Sequence, residues 1–354
     1  MSTPDAVIIV APNWLGDAVM ALPAIADLRR HFSAARLIVA ARPGVTDLFQ
    51  LVPGVDEIVP LSWRGEMLRT AAFRADAERL QQSGASLAVL FPNSFASAWL
   101  ARRARVEERW GYGSDVRTRL LTRAVRRPKG SRHQGEYYQH LTRELGVAAG
   151  PLTPELRVSD ESRESARALL SGRGWDTRSP LVTLAPGAAY GKAKQWLPGH
   201  VVQLATRLAR EGTTCVLVGS KADAETTHRI RTAMPPDAAA RTLDLAGVTS
   251  LGELAGVLAL SRACVSNDSG AMHVAAALGT PVVALFGPTI EAETRPLIAS
   301  GGWSRVLTSP VWCRPCMLRE CPLDHRCMTR ITPDMVASAL AEVPSSQMQH
   351  GATQ

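Results

Sequence analysis

No apolar stretch of this chain approaches eighteen uncharged residues, so nothing in it reads as a membrane-spanning helix. Its opening, MSTPDAVIIVAPNWLGD, leads with an acid rather than a basic cluster. The apolar run that follows is too short for a secretory signal, and a cytoplasmic protein is expected. Aromatic residues are scarce, at 5% of the chain, and no basic, aromatic-rich sheet motif is visible. That argues against a module that reads nucleic acid by base stacking. There is no internal repeat and no low-complexity tract. The first strand–helix turn holds one glycine, Gly16, where a dinucleotide fingerprint needs three, so hydride chemistry on NAD loses its best support.

What is present is ordinary globular composition: 354 residues, 46% hydrophobic and 20% charged, long enough for two domains. Short apolar, β-branched runs alternate with helical patterns. Strands are expected at residues 6–11, 36–42, 56–61 and 86–91, the first followed by a helix through Leu22, Ile25, Leu28 and Phe32. Pro23 lies beyond the first turn of that helix and should distort it. The rhythm breaks between about residues 110 and 160, where basic residues, proline and glycine replace strand patterns. It restarts at residues 181–185, 213–218, 263–266 and 281–286. Such alternation predicts an α/β chain of two doubly wound, Rossmann-like domains, residues 1–170 and 171–354, facing a central cleft. The tail after Pro344 is expected to fray.

Charge is concentrated. Residues 101–132 hold eleven Lys or Arg against three acids, Glu107, Glu108 and Asp115, an excess of +8 that equals the net charge of the whole chain. The segment reads either as a site for a polyanion, such as nucleic acid, anionic membrane or phosphorylated glycolipid, or as a solvated arginine-rich surface. Of six cysteines, Cys215 and Cys264 sit in apolar runs and read as core residues. Cys313, Cys316, Cys321 and Cys327 fall within fifteen residues. They read as a zinc or iron–sulfur site, or as reduced thiols or an occasional disulfide in a loop. The gaps after Cys316 and Cys321 are not the paired spacing usual for metal ligands.

Three turns carry candidate chemistry. Asp17 opens the first helix, where it reads as an N-cap or as a carboxylate at a strand's carboxyl end, placed to act as general base. In LAPGAAYGKAKQW, Gly187 and Gly191 permit close backbone approach, and Lys192 and Lys194 are placed to neutralise a diphosphate. In CVSNDSGAMHVAAAL, the turn Asn267, Asp268, Ser269, Gly270 leads into a helix over residues 272–278, whose N-terminus is an anion site. Asp268 would repel phosphate and suits sugar hydroxyls better, or caps the helix. His273, one turn in, reads as a packing residue.

Taken together, NWLGDAVM at residues 13–20, FPNSF at 91–95, PGAAYGKAKQW at 186–196 and NDSGAMHVAAAL at 267–278 closely resemble the ADP-heptose heptosyltransferases of lipopolysaccharide synthesis, glycosyltransferase family nine. The matching segments run in order over nearly the whole chain. The resemblance implies a two-domain GT-B fold, with an acceptor-binding N-terminal and a donor-binding C-terminal domain. It implies an inverting transfer of L-glycero-D-manno-heptose from ADP-heptose to the first heptose of a Kdo-lipid A inner core. Asp17 would be the base and Lys194 would neutralise the departing ADP. Asp268 would meet heptose hydroxyls and Ser269 and Gly270 the donor phosphates, with Gly187 and His273 also on the donor side. Asn13, Asn93 and Ser94 would line the acceptor side. No cofactor or metal is expected. The basic segment would then face a phosphorylated acceptor and the anionic inner face of the cytoplasmic membrane, with nucleic acid not a partner. Two alternatives stay open: another GT-B nucleotide-sugar enzyme, including a heptosyltransferase of another core position, or a non-catalytic polyanion-binding module.

Overall fold

The computed structural model describes residues 4–63 and 70–344; the expected fraying after Pro344 lies outside them. The chain divides into two compact units, residues 1–155 and 156–354.

The first unit is built on six strands: β1 (Ala6–Val10), β2 (Arg36–Ala41), β3 (Glu57–Pro60), β4 (Leu87–Leu90), β5 (Glu108–Tyr112) and β6 (Arg123–Val125). They form one sheet in the order β3-β2-β1-β4-β5-β6, and every pairing is parallel. Parallel strands are joined by crossover helices that cover both faces, which is why β1 reads AVIIV with every residue buried. The second unit repeats the plan with β7 (Leu181–Ala185), β8 (Thr214–Leu217), β9 (Thr242–Asp244), β10 (Ala263–Asn267), β11 (Val282–Phe286) and β12 (Ser304–Thr308). Its order is β12-β11-β10-β7-β8-β9, again all parallel. The winding reverses between β1 and β4 in the first unit and between β7 and β10 in the second. In sheets of this class ligands bind where the loops leave the carboxyl ends of those two strands and part to opposite faces.

The eight strands expected from apolar runs are all present. Four more, β5, β6, β9 and β12, lie at or beside sheet edges, and two of them fall in the stretch expected to be irregular. Their sequences, ERWGY, RAV, TLD and SRVLT, carry charges or are too short to show a run. Pro23 does more than distort a helix. The chain forms one helix at Leu15–Met20 and a second at Leu22–His31, with Pro23 in the second's first turn, where a missing N–H costs nothing.

The boundary between the units lies fifteen residues before the expected one, counting from residue 170 to residue 155. The helix Asp160–Ser171 belongs to the second unit because its apolar face, Ala166 and Leu170, joins a core cluster with Trp175, Val257 and Leu260. It lies against the helix Leu251–Leu260 at Gly256, where a Cβ would stand 2.5 Å from the Ser162 carbonyl oxygen and 2.7 Å from the Ala166 Cβ. Among the described residues, no helix is long and apolar enough to cross a membrane. The helix contact at Gly256 makes a prediction. Gly256→Ala should destabilise the chain by about 1–3 kcal/mol through overpacking, read as a lower urea midpoint; an unchanged midpoint would mean that the helix Asp160–Ser171 yields without cost.

Candidate active site

At the reversal point of the first unit, the loop after β1 carries Asn13, Trp14 and Asp17, and the loop after β4 carries Asn93 and Ser94. Asp17 does not cap its helix. Trp14 is the N-cap residue of Leu15–Met20, and Asp17 is the third residue inside. Its carboxylate is instead met by the phenol of Tyr138, with Tyr138 Oη 3.4 Å from Asp17 Oδ1. Asn93 donates from Nδ2 to Tyr137 Oη at 2.9 Å, while its Oδ1 is buried without a hydrogen-bond partner among the described residues. Ser94 takes a structural position, capping the helix Phe95–Arg103 by accepting from Ser97 N at 3.3 Å. Asn13 is exposed, as is the Trp14 ring.

The loop holding Asn93 is pinned from below by Arg117, whose residue surface is 0% exposed. Its guanidinium donates from Nε to the Tyr112 carbonyl at 2.9 Å and from Nη1 to Ser97 Oγ at 2.9 Å and to the Pro92 carbonyl. Burial lowers its pKa to about 10, which leaves it a cation at neutral pH. This corrects the reading of residues 101–132 as wholly a surface patch. Arg117 is internal, Arg109 is tied to the Leu120 carbonyl at 2.7 Å, and Arg123 stacks over Trp110 at 4.6 Å. Arg102, Arg103, Arg105, Arg119, Arg126, Arg127 and Lys129 remain exposed.

At the reversal point of the second unit, the loops after β7 and β10 are stitched by one side chain. Asn267, buried at the end of β10, donates from Nδ2 to the Pro186 carbonyl at 2.6 Å and accepts at Oδ1 from Trp196 N at 3.1 Å. This brings Lys194 to Asp268, Nζ to Oδ2 2.6 Å, with both side chains largely buried. The same carboxylate oxygen accepts from Thr289 Oγ1 at 2.8 Å and from Thr294 Oγ1 at 3.4 Å. Asp268 is therefore no helix cap. That place is taken by Ser269, whose hydroxyl pairs with Ser266 Oγ at 3.0 Å and takes no first-turn N–H of Gly270–Ala277. Amides left so at a helix N-terminus favour an anion. His273 is buried within this helix. Gly187 is required by close approach: a Cβ there would stand 2.4 Å from Asp223 Oδ1.

The cysteine segment backs this site. Ala193 N donates to the Arg319 carbonyl at 2.9 Å, His325 Nε2 to the Ala193 carbonyl at 2.6 Å and Tyr190 Oη to the Met317 carbonyl at 2.8 Å. On its other side, Arg314 grips the Gly287 and Thr289 carbonyls and Glu291. All six cysteines are free thiols. Among the described residues no group of three or more His, Cys, Asp or Glu is arranged to hold a metal ion. Burial pushes Cys215 and Cys264 up to about 12. Burial, then the charges of Cys321, Cys313 and Cys316, also raise Cys327. Sequence reasoning missed Tyr138, Arg117, Asn267, Thr289 and Thr294. Asn267 stood in a quoted motif and only its direction was unknown; Arg117 was counted in the basic segment without its buried role, and Tyr138 and the threonines are distant in sequence from the groups they serve.

The profile of glycosyltransferase family 9 (heptosyltransferase) matches residues 73–326. The lipopolysaccharide heptosyltransferase 2 of Salmonella typhimurium is 31% identical over 310 residues, 85% of this chain and 88% of that protein. Its Escherichia coli K12 counterpart is 30% identical with the same coverage. Among solved structures, that of the E. coli ADP-heptose lipopolysaccharide heptosyltransferase II superposes with a TM-score of 0.82 at 29% identity, covering 98% of this chain and all of that one. Two parallel six-stranded sheets wound in the same order, with the matching motifs at both reversal points, are the GT-B plan of these enzymes. The chain belongs to glycosyltransferase family 9, the heptosyltransferases.

Proposed function

We propose that this enzyme moves L-glycero-D-manno-heptose from ADP-heptose to the first heptose of the Kdo-lipid A inner core, with inversion at the anomeric carbon. The observation that carries the donor half is the Lys194–Asp268 pair beside the helix N-terminus at Gly270. A cation held ready by a buried carboxylate, next to uncapped amides, is suited to a diphosphate leaving group. The names of the heptosyltransferase 2 relatives support the acceptor half.

In this reading the acceptor hydroxyl loses its proton to the Asp17 carboxylate as its oxygen attacks the anomeric carbon. The bond from that carbon to the phosphate oxygen breaks, and its electron pair leaves with ADP. Lys194 and the amides of Ser269 and Gly270 neutralise the charge that develops there. Asp268, its Oδ2 already compensated by Lys194, Thr289 and Thr294, turns to heptose hydroxyls. Gly187 and His273 shape the donor loops, and Asn13, Asn93 and Ser94 the acceptor side. The exposed part of the basic segment, led by Arg126, Arg127 and Lys129, meets the phosphorylated acceptor and anchors the enzyme peripherally to the cytoplasmic face of the inner membrane.

Three outcomes test this. Pure protein with ADP-heptose should release ADP only when heptosylated Kdo-lipid A is added, and turnover on acceptor in anionic vesicles should fall as salt rises. Release with a heptose-free acceptor would reassign the step, and no release with either would reassign the donor. Asp17→Ala should lose at least about a hundredfold in kcat while calorimetry still records ADP binding; near-normal turnover would remove Asp17 as base. Lys194→Ala should raise the KM for ADP-heptose by more than about tenfold, since it leaves Asp268 as an unpaired charge facing the diphosphate. Unchanged kinetics would move the phosphate role to Lys192.

A further inference from the structure

Tyr138 is distant in sequence from both candidate loops, yet it touches Phe91, just before one, and Asp17, just after the other. It sits on the helix Gln134–Glu144 and is 4% exposed. Its ring lies against Phe91, the residue that leads from β4 into Pro92 and Asn93, at 5.2 Å between centroids. A second ring contact, edge to face with Tyr137, lies at 5.9 Å between centroids. So held, the phenol delivers its oxygen to Asp17 Oδ1 at 3.4 Å.

We propose that Tyr138 is a positioning residue that holds the Asp17 carboxylate in its proton-accepting orientation by donating a hydrogen bond to Oδ1. The inference rests on the reading of Asp17 as the base. A tyrosine recruited for packing alone needs only its ring, and phenylalanine would fill the space against Phe91. A hydroxyl buried beside a carboxylate has a direction: the carboxylate can only accept, so the phenol donates. Burial first, and then the Asp17 charge, raise the phenol well above its ordinary range, while a contact from the Gln134 side chain pulls the other way. The phenol therefore keeps its proton and does not compete with Asp17 for that of the acceptor. Asp17 is the third residue of a six-residue helix whose N-cap is Trp14, and the phenol reaches its carboxylate from a neighbouring helix. Bases aligned before substrate arrives save the cost of ordering them during the reaction.

The test is a double-mutant cycle in the full chain, assayed by ADP release from ADP-heptose and heptosylated acceptor. Tyr138→Phe should lower kcat about ten- to a hundredfold, the range of a hydrogen bond to a charged group. The KM for ADP-heptose and the melting temperature should stay close to those of the parent. In an Asp17→Asn background, adding Tyr138→Phe should change the residual rate by less than about twofold. Unchanged kcat in Tyr138→Phe would overturn the inference, as would the same loss in both backgrounds, which is what a structural role produces. Near-parental turnover in Asp17→Asn alone would remove the base assignment and this inference with it. An inactive Asp17→Asn beside a fully active Tyr138→Phe would remove the inference only.

Discussion

Asp268 is 6% exposed at the carboxyl end of β10, and a carboxylate so placed costs several kcal/mol unless it is paired and hydrogen-bonded. Most of the second unit's functional geometry follows from meeting that demand. Lys194 must reach it from the loop after β7, so that loop has to fold back across the sheet end. Asn267, the neighbouring residue, fixes it there through Pro186 and Trp196. Thr289 and Thr294, from the loop after β11, complete the set, and Arg314 holds the Thr289 backbone from behind. Three loops that meet nowhere in sequence are thus organised around one charge. The same arrangement leaves a lysine next to a helix N-terminus without a side-chain cap.

The first unit solves a milder version of the problem. Asp17 is only partly buried, and one of its partners is a neutral donor, the Tyr138 phenol. A carboxylate asked to accept a proton is better served by a phenol than by a lysine, because a full ion pair would hold it in the charged form. Arg117 is committed to the Tyr112 and Pro92 carbonyls and the Ser97 hydroxyl around Asn93. The two aspartates thus have different partners, a phenol for Asp17 and a lysine with two threonines for Asp268.

The cysteine segment matters here for its backbone. Residues 314–325 contact the Tyr190–Lys194 loop on one side and Gly287–Glu291 on the other, mostly through main-chain carbonyls and amides. Backbone contacts tolerate side-chain change, which is why neither Arg319 nor Met317 announced a role in the sequence. Gly191 does record the contact indirectly, since any Cβ there would strike the Arg319 carbonyl at 2.3 Å.

Sequence alone determined the class of fold, because strands buried on both faces, such as AVIIV and VVALF, must be written in apolar, β-branched residues. It also supplied the four motifs of the site. Edge strands such as β6 and β9 were illegible because a strand exposed on one side need not be apolar, and the boundary at residue 155 was illegible because it depends on which core the helix Asp160–Ser171 joins. Whether Asp17 and Asp268 cap helices or face partners was decided only by tertiary structure. A cap and a paired carboxylate are the same letter at the same turn, and what separates them is a side chain from elsewhere: Tyr138, 121 residues on, and Lys194, 74 residues back.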